Sequence, residues 1–211
     1  MINNFVLTKD GSNTLYNKKY QEYYHSISGA YTEALEKYIK PLAIQNGDTI
    51  LDFCFGLGYN SFVAISLFSN LDITALENDM EILQTISYFA FPSKLNETVN
   101  IFKNIAKNHL ITDKKNNTIN LIIGDALKTV KTLPQNHFDK IFFDPFSPKK
   151  APEMWTQELF SDLFNILKRK GMLATYSCAK TVRKNMQLSG FRIIDGPSVG
   201  RKSPSTIAIK E

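Results

Sequence analysis

Short apolar segments alternate with helical segments through most of this chain, and this alternation limits the possible folds more than any other feature. Apolar runs of this length are typical of buried strands, and they cover residues 49–54, 71–77, 119–123, 138–143, 171–176 and 191–194. Strands that are joined by helices form mostly parallel sheets with helices on both faces. The sequence therefore predicts an α/β fold.

The clearest helix precedes the fifth of these strands. Its apolar stripe has helical spacing and consists of Leu159, Phe160, Leu163, Phe164 and Leu167. Basic residues 168–170 would favour the carbonyl end of a helix, and Gly171 is typical of a helix stop. We therefore predict that this helix ends at Gly171. Another helix is predicted near residues 97–109.

The first 45 residues lie outside the alternation. Residues 5–8 and 14–16 flank a turn-forming segment, 10–13, whose glycine suits a β-hairpin. A helix over residues 30–40 would follow. We therefore divide the chain into an N-terminal hairpin and helix extension that covers the site, residues 1–45, and a main domain, residues 46–211.

The charge is distributed unevenly along the 211 residues. Residues 1–145 carry 13 basic and 15 acidic side chains, whereas residues 146–211 carry 12 basic and 5 acidic ones. A basic final third predicts an anionic partner, and nucleic acid is the commonest large one. The alternative is a solvated lysine-rich surface without a partner.

Several classes of protein are not expected. No segment approaches the roughly 18–20 consecutive apolar residues that a membrane helix needs, and residues 1–10 lack the pattern of a signal peptide. Two cysteines, Cys54 and Cys178, cannot form a disulfide framework, and three scattered histidines have no zinc-like spacing. We expect a cytoplasmic protein without membrane segments or a metal site.

A glycine-containing loop follows the first predicted strand of the main domain. Gly56 and Gly58 would let backbone approach a ligand closely. A dinucleotide fingerprint would require a third glycine where Ser61 stands. The loop instead resembles the acidic-x-Gly-x-Gly-x-Gly motif of class I S-adenosylmethionine-dependent methyltransferases, in which Asp52 matches the acid and Cys54 replaces the first glycine. A tight turn without a ligand is the alternative.

Carboxylates also end the next two strands. Glu77 could accept hydrogen bonds from both hydroxyls of an unphosphorylated ribose. Asp125 could accept one from the exocyclic amine of adenine. Each acid could instead cap a helix. Carboxylates at three consecutive strand ends, in the methyltransferase order, favour the cofactor interpretation.

The fourth strand ends at Asp144-Pro145-Phe146. An alkyl amine is mostly protonated at neutral pH, so it needs a group that receives or relays a proton before its lone pair can attack. Asp144 could align the amine and take that proton, and Phe146 could stack on a base. Alternatively, Asp144 caps the turn and Phe146 packs in the core.

The segment that begins at Asp144 carries a more specific resemblance. Residues 144–155, DPFSPKKAPEMW, resemble the acidic-x-Phe-x-Pro and Pro-Glu-x-Trp signature of the MnmC methyltransferase domain. Similar stretches are TKDGSNT (8–14), YHS (24–26), FGLGYN (55–60) and GRK (200–202). The resemblance covers almost the whole chain. It implies a Rossmann-like class I methyltransferase fold with a mostly parallel, seven-stranded sheet.

The same resemblance implies a reaction and a set of site residues. The family uses S-adenosylmethionine to methylate the 5-aminomethyl nitrogen of wobble uridine in tRNA, which gives 5-methylaminomethyl-(2-thio)uridine. Asp144 matches the catalytic acid. The implied cofactor residues are Tyr24, Gly29, Asp52, Phe55, Gly56, Gly58, Asn60, Glu77, Asp125 and Ala126. The implied substrate residues are His25, Phe146, Pro148, Lys149, Trp155, Lys180, Arg183, Arg201 and Lys202.

The sequence also departs from the family pattern. No second dinucleotide motif is present, so we expect a stand-alone methyltransferase without the fused flavin-dependent oxidase of the bifunctional members. Ala151 stands where we expect Asn. Basic side chains near Lys180, Arg183 and Arg201 would contact phosphates of the anticodon stem-loop.

Two other functions are compatible with these patterns. One is another amine methyltransferase, which acts on a nucleobase or a small polyamine; the motif at Asp144 lacks the second proline of the amino-group base methyltransferases. The other is a non-catalytic nucleic-acid-binding module that retains the fold. Glu77, Asp125 and Asp144 argue against that module because binding alone would not require them.

Overall fold

The computed structural model describes residues 5–211. Its strands are β1 (Phe5–Leu7), β2 (Asn13–Asn17), β3 (Glu22–Tyr23), β4 (Thr49–Phe53), β5 (Asp72–Glu77), β6 (Leu110–Thr112), β7 (Thr118–Ile123), β8 (Phe138–Phe143), β9 (Leu167–Thr175), β10 (Arg192–Asp195) and β11 (Thr206–Ile209). Residues 1–4 lie outside the described range. They include the start of the predicted N-terminal extension and of the segment that lacks a signal-peptide pattern.

The helices lie between these strands. They are α1 (Ala30–Glu33), α2 (Tyr59–Leu67), α3 (Met80–Thr85), α4 (Asn96–Phe102), α5 (Ile105–Asn108), α6 (Ala126–Thr129), α7 (Gln157–Ile166) and α8 (Lys180–Leu188). A π-helical segment, Ala34–Ile39, continues α1, and short 3₁₀ turns occur at Ser93–Leu95, Val130–Thr132 and Pro152–Trp155. Within residues 5–211, no helix is long and apolar enough to cross a membrane.

The main sheet is mixed and mostly parallel, as predicted. Its strand order is β10-β11-β9-β8-β4-β5-β7-β6. Strands β7, β5, β4, β8 and β9 run parallel, and β10 and β11 add antiparallel pairs at one edge. Because the chain crosses to both sides of β4, a crevice forms at the carboxyl ends of β4 and its neighbours, where ligands bind in such folds.

Among the described residues this sheet has eight strands, one more than the seven that we expected. Strand β6 pairs antiparallel with β7 through a turn in which Asp113 accepts backbone hydrogen bonds from Lys115 and Asn117, at 2.8 and 2.9 Å. Three residues are too few to show a strand period, so β6 could not be predicted from its residues. The other seven strands form the methyltransferase-like sheet.

The N-terminal hairpin carries a third, unpredicted strand. Strands β1, β2 and β3 form a separate antiparallel sheet. The hydroxyl of Tyr59 in α2 donates to the carbonyl of Asn13 at 2.9 Å and so ties this sheet to the main domain. Leu15, Ala34 and Tyr38 belong to the same buried cluster as residues of α2 and β5. The extension therefore shares the core on one face of the main sheet.

Two helix predictions need correction. The helix expected near residues 97–109 is divided into α4 and α5. Helix α7 ends at Ile166 rather than at Gly171, because Leu167 is already extended and pairs with Phe138. The following residues form an irregularity in β9, where Lys168 binds Asp139 at 2.8 Å. Pairing with β8 thus overrides the local helical signal.

Candidate active site

A large cavity lies at the carboxyl ends of β4, β5, β7 and β8. Its volume is about 1400 Å³. The N-terminal sheet and residues 199–201 close it from the other side. Of the predicted site residues, the cavity is lined by Tyr24, His25, Gly56, Glu77, Ala126, Asp144, Phe146 and Arg201. The structure therefore brings together the ends of the four strands that we singled out from the sequence.

The loop after β4 is shaped by its two glycines. Gly56 has a φ of 56°, and a Cβ atom there would lie 3.2 Å from the ring of Tyr24. Gly58 has a φ of 78°, and a Cβ atom there would lie 2.6 Å from Phe55 and 2.7 Å from Phe62. Side chains rarely adopt such backbone angles. At Gly56 the wall of the cavity therefore consists of backbone without a side chain. Gly58 and Phe55 instead belong to the packing behind this loop.

Asp52 supports this loop from below and does not line the cavity. Its carboxylate is fully buried and accepts a hydrogen bond of 2.6 Å from the hydroxyl of Ser61. Burial raises its pKa to about 8. Asp52 and Ser61 thus link the end of β4 to the first turn of α2 and fix the loop between them.

Glu77 closes the loop from the side of β5. One carboxylate oxygen accepts from the backbone N–H of Gly56 at 2.7 Å. The other accepts from the backbone N–H groups of Asn78 and Asp79 at 2.8 and 2.9 Å. Burial raises the pKa of Glu77. A carboxylate has about four acceptor directions, so roughly one remains for a ligand, rather than the two that the predicted grip on a ribose would use.

Asp125 caps α6 and is not part of the cavity lining. Its carboxylate accepts a hydrogen bond from the backbone N–H of Leu127 at 3.1 Å. This contact is the one expected if Asp125 caps a helix. The neighbouring Gly124 and Ala126 line the cavity instead. Small side chains at this point leave space for a flat ring, and a contact of Asp125 with adenine stays a prediction.

Asp144 lies at the end of β8 and faces the cavity. The hydroxyl of Tyr38 donates to Oδ1 at 2.6 Å, and the side-chain amide of Asn60 donates to Oδ2 at 3.1 Å. Burial and the nearby Glu33 carboxylate raise the pKa of Asp144 to about 7. The carboxyl group is therefore held in one orientation and titrates near neutral pH. Asn60, predicted to bind the cofactor, contacts Asp144 here.

His25 lies beside Asp144. Its side chain is 5% exposed, and its Nδ1 atom lies 3.9 Å from Oδ2 of Asp144. Neither ring nitrogen has a hydrogen-bond partner among residues 5–211. Burial lowers the pKa of His25 to about 4, so the ring is neutral at pH 7 and one nitrogen is a free acceptor.

Aromatic rings form the wall next to Asp144. Phe146 stacks on Tyr20 with ring centroids 4.2 Å apart and an interplanar angle of 18°. Tyr24 contacts Phe146 edge-on at 5.2 Å. The backbone N–H of Ser147 donates to Glu22 at 2.9 Å, which ties β3 to this loop. Phe146 is half-buried in this packing and also lines the cavity, and its contact with a base stays a prediction.

Several predicted substrate residues lie away from the cavity. Trp155 is buried, and its indole N–H donates to the carbonyl of Phe146 at 2.9 Å. Arg183 pairs with Asp195 at 2.7 Å and donates to Thr206. These contacts make Trp155 a support of the Asp144 loop and Arg183 a support of the sheet edge, and a contact of either residue with the substrate stays a prediction. The remaining residues outside the lining are Gly29, Pro148, Lys149, Lys180 and Lys202.

Gly29 has a packing role instead. A Cβ atom at this position would lie 2.4 Å from the carboxylate of Asp10, and its φ is 142°. Asp10 in turn accepts from the backbone N–H of Thr32 at 2.8 Å. Only glycine lets the start of α1 approach Asp10 this closely, and that contact holds the turn between β1 and β2 against α1 within the extension.

Some residues of the site were not predicted from the sequence. Tyr38, which bonds to Asp144, comes from a segment 106 positions earlier and has no local signal. Lys18, Lys19 and Tyr20 line the cavity from the turn between β2 and β3. Basic residues beside an aromatic one are a known nucleic-acid signal, and this signal could have indicated the turn.

Comparison with known proteins identifies the family. A family model described as S-adenosyl-L-methionine-dependent methyltransferase matches residues 93–211, which is more than half of the chain. The chain belongs to this family of S-adenosyl-L-methionine-dependent methyltransferases. It is an α/β enzyme of the class I fold, as the strand order indicates.

Relatives and solved structures agree with this assignment. An uncharacterized protein of Methanocaldococcus jannaschii is 32% identical over 97% of this chain and 59% of its own length. The tRNA 5-methylaminomethyl-2-thiouridine biosynthesis bifunctional protein MnmC of Campylobacter hominis is 27% identical over 89% of this chain and 30% of its own length. The chain thus spans less than two thirds of these relatives.

Two solved structures are also similar. MnmC2 from Aquifex aeolicus superposes with a TM-score of 0.84 and 29% identity over 97% of this chain and 69% of that one. A spermidine synthase in complex with a transition-state analogue gives a TM-score of 0.62 at 13% identity, over 95% of this chain and 70% of that one, and so shows the shared fold alone.

The cavity of this methyltransferase fits S-adenosylmethionine. Glu77, Asp79, Glu81 and Asp144 all line it, and carboxylates favour the positive charge of a sulfonium. The remaining acceptor direction of Glu77 suits a ribose hydroxyl. A side chain at Gly56 would fill the space that this wall leaves open. The donor set and the shape therefore agree with the family's cofactor.

Proposed function

We propose that the enzyme transfers a methyl group from S-adenosylmethionine to the 5-aminomethyl nitrogen of the wobble uridine in tRNA. The observation that carries this proposal is Asp144, whose carboxyl group is fixed by Tyr38 and Asn60 and faces the cofactor cavity. An acid so placed suits an amine acceptor. The relatives named for tRNA 5-methylaminomethyl-2-thiouridine biosynthesis support the particular amine.

The chemistry of Asp144 follows from its surroundings. When bound, S-adenosylmethionine supplies an electrophilic methyl group on a positively charged sulfur. The incoming alkyl ammonium has a pKa near ~10, so it must lose a proton before attack. Asp144, with a pKa of about 7, takes that proton and passes it to solvent before the transfer, so that its carboxylate is again an acceptor for an N–H of the neutral amine. Rotation about the C–N bond then turns the amine lone pair towards the methyl group.

Tyr38 and Asn60 act on this step through Asp144. Their hydrogen bonds keep both carboxyl oxygens in place, so the amine meets a fixed acceptor and little reorganisation is needed. Phe146 provides a flat apolar surface for the uracil ring once Tyr20 moves aside or slides along it. The fixed acid and the aromatic wall together position one base and one amine.

Positive charge surrounds the entrance to the cavity. Lys18, Lys19 and Arg201 line it, and Lys149 and Lys150 follow the Asp144 loop. Lys18 and Lys19, in the turn between β2 and β3, thus add positive charge at the cavity to that of the basic final third of the chain. These groups support contacts with the phosphates of a tRNA anticodon stem-loop, which would position the tRNA without reading its sequence.

The direct test is methyl transfer to tRNA that carries 5-aminomethyluridine. We expect the wobble nucleoside to gain the mass of one methyl group, measured by nucleoside mass spectrometry after digestion. The matched control is the same tRNA with unmodified uridine, which lacks the amine and should stay unchanged. Transfer to spermidine or to an adenine amine, without transfer to the modified tRNA, would favour the alternative amine methyltransferase.

Binding of tRNA should depend steeply on salt. A protein that contacts six or more phosphates loses about 10³-fold in affinity between 50 and 200 mM salt. Changing Lys18 and Lys19 to Gln should weaken binding about tenfold and reduce the slope of log K against log salt by about 2. Fluorescence anisotropy at several salt concentrations would measure both.

The matched control for the lysine variant changes two exposed lysines that do not line the cavity. Lys103 and Lys107 are exposed near α4 and α5 and do not line the cavity. Changing both to Gln removes the same charge but should leave the slope almost unchanged. Equal slopes for the two double variants would contradict the role of the turn between β2 and β3.

A further inference from the structure

Two hydrogen-bond acceptors face the cavity side by side. Oδ2 of Asp144 lies 3.9 Å from Nδ1 of His25, and both residues line the cavity. Within residues 5–211 neither nitrogen of the His25 ring has a partner. Buried polar groups are nearly always hydrogen-bonded, so an imidazole without a protein partner beside the reacting acid is available to a ligand group.

The orientation of His25 is fixed by its neighbours. Its backbone N–H donates to the hydroxyl of Thr14 at 3.0 Å, and its ring packs edge-on against Tyr59 with centroids 5.0 Å apart. The buried ion pair between Glu33 and Lys37, at 2.5 Å, lies on the same side of the cavity. The backbone bond and the packing against Tyr59 therefore limit the movement of the His25 side chain.

The spacing of the two acceptors matches a primary amine. An amine nitrogen placed about 2.9 Å from each of two acceptors forms a triangle whose third side can be the 3.9 Å measured here. A neutral primary amine has two N–H groups. If Asp144 and His25 each accept one, the lone pair is left as the only direction that can point to the methyl donor.

We propose that His25 and Asp144 together bind the two N–H groups of the acceptor amine and so restrict the enzyme to a single methylation. This inference rests on the proposed function. In the transfer, the amine lone pair forms the new C–N bond as the methyl–sulfur bond breaks, the sulfur leaves as the neutral thioether of S-adenosylhomocysteine, and the product is a secondary ammonium with two N–H groups. A second round would begin from a neutral secondary amine, which has one N–H for two acceptors.

A second methylation is disfavoured because one of the two acceptors would have no N–H group to bind. A buried acceptor that faces a methyl group loses its hydrogen bond and is not compensated by water. Discrimination by such a loss is typically at least about tenfold. His25 is thus a positioning residue that determines specificity, since it touches the amine but exchanges no proton with it.

The test compares three forms of the enzyme on tRNA that carries 5-aminomethyluridine. His25→Leu removes the acceptor and places an apolar group where the methyl would lie. We expect kcat for the first transfer to fall about tenfold, the KM for S-adenosylmethionine to stay within about twofold, and dimethylated nucleoside to appear in mass spectrometry. His25→Gln, which retains an acceptor, should restore a purely monomethylated product.

Each outcome has a defined meaning. A folded His25→Leu enzyme that binds S-adenosylmethionine normally and yields only monomethylated nucleoside at the wild-type rate would overturn the inference. If that variant does not fold, the wild type decides: tRNA with 5-methylaminomethyluridine should bind about tenfold more weakly than tRNA with 5-aminomethyluridine, and equal binding overturns the inference. Absence of any transfer by the wild type overturns the proposed function and this inference with it.

Discussion

Replacing Asp144 with Asn should abolish turnover and at the same time stabilise the fold above neutral pH. A general base typically contributes about 10²–10⁴-fold to rate, and an amide cannot take the proton of the ammonium. We therefore expect kcat to fall by about 10³-fold. Binding of S-adenosylmethionine, measured by calorimetry, should change less than about threefold, because Asp144 is only one of the six acids that line the cavity.

The structure explains why Asn is accommodated at this position. Tyr38 can still donate to the retained oxygen, as it does to Oδ1 of Asp144. The new amide nitrogen would face Asn60, whose own side-chain oxygen is buried without a partner among the described residues. Rotation of the Asn60 amide by about half a turn presents that oxygen as an acceptor. The variant therefore leaves no additional unpaired group.

The gain in stability depends on pH in a defined direction. The pKa of Asp144 is raised from 3.8 to about 7 in the folded protein, so the folded state binds the proton more tightly than the unfolded state between these values. The contribution of Asp144 to stability is therefore present below about pH 4 and is lost as the pH rises towards 7. Above neutral pH, its buried charge costs at most about 4 kcal/mol.

Thermal unfolding at two pH values tests this sign. At pH 8 the melting temperature of Asp144→Asn should exceed that of the wild type by several degrees. At pH 4 the difference should be close to zero, because both proteins then carry a neutral group at this position. A variant that is less stable than the wild type at pH 8 would show that the carboxylate is stabilised by its neighbours.

The same residues show how far sequence predicts a site. Asp144 and Glu77 were found because ligand-binding residues follow the strands of a parallel sheet, and each strand end was visible from its apolar run. Their partners were not found. Tyr38 reaches Asp144 from a distant helical segment, and no local pattern encodes such a contact. Sequence thus predicts the position of a reacting group more readily than the partners that set its orientation and pKa.

The contacts that were not predicted have a common physical cause. Trp155 and Arg183 were assigned to the substrate because of motif position and charge, and the structure adds tertiary contacts with the carbonyl of Phe146 and with Asp195. The basic residues that would end α7 instead lie in β9, because pairing with β8 outweighs local propensity. In each case a long-range partner decided the outcome, and such partners are not visible in one sequence.

Glu77→Gln should weaken binding of S-adenosylmethionine about 100-fold. Gln has the shape of Glu but only one acceptor oxygen, and its NH₂ group would face either the N–H of Gly56 or the N–H groups of Asn78 and Asp79. The loop of Gly56 then loses its fixed position, and a ribose hydroxyl loses a charged acceptor. Hydrogen bonds to charged groups contribute about 1.5–3 kcal/mol each, so two weakened bonds correspond to about 100-fold in affinity.

Calorimetry with S-adenosylmethionine and with S-adenosylhomocysteine separates the two roles of Glu77. S-adenosylhomocysteine lacks the sulfonium charge but keeps the ribose, so an equal loss for both ligands indicates the hydroxyl contact and the loop. A larger loss for S-adenosylmethionine indicates the charge of the carboxylate. Glu97→Gln, an exposed change on α4, is the matched control and should leave both affinities unchanged. Wild-type affinity in Glu77→Gln would mean that the cofactor does not contact the end of β5, and the remaining acceptor direction of Glu77 would then need another ligand.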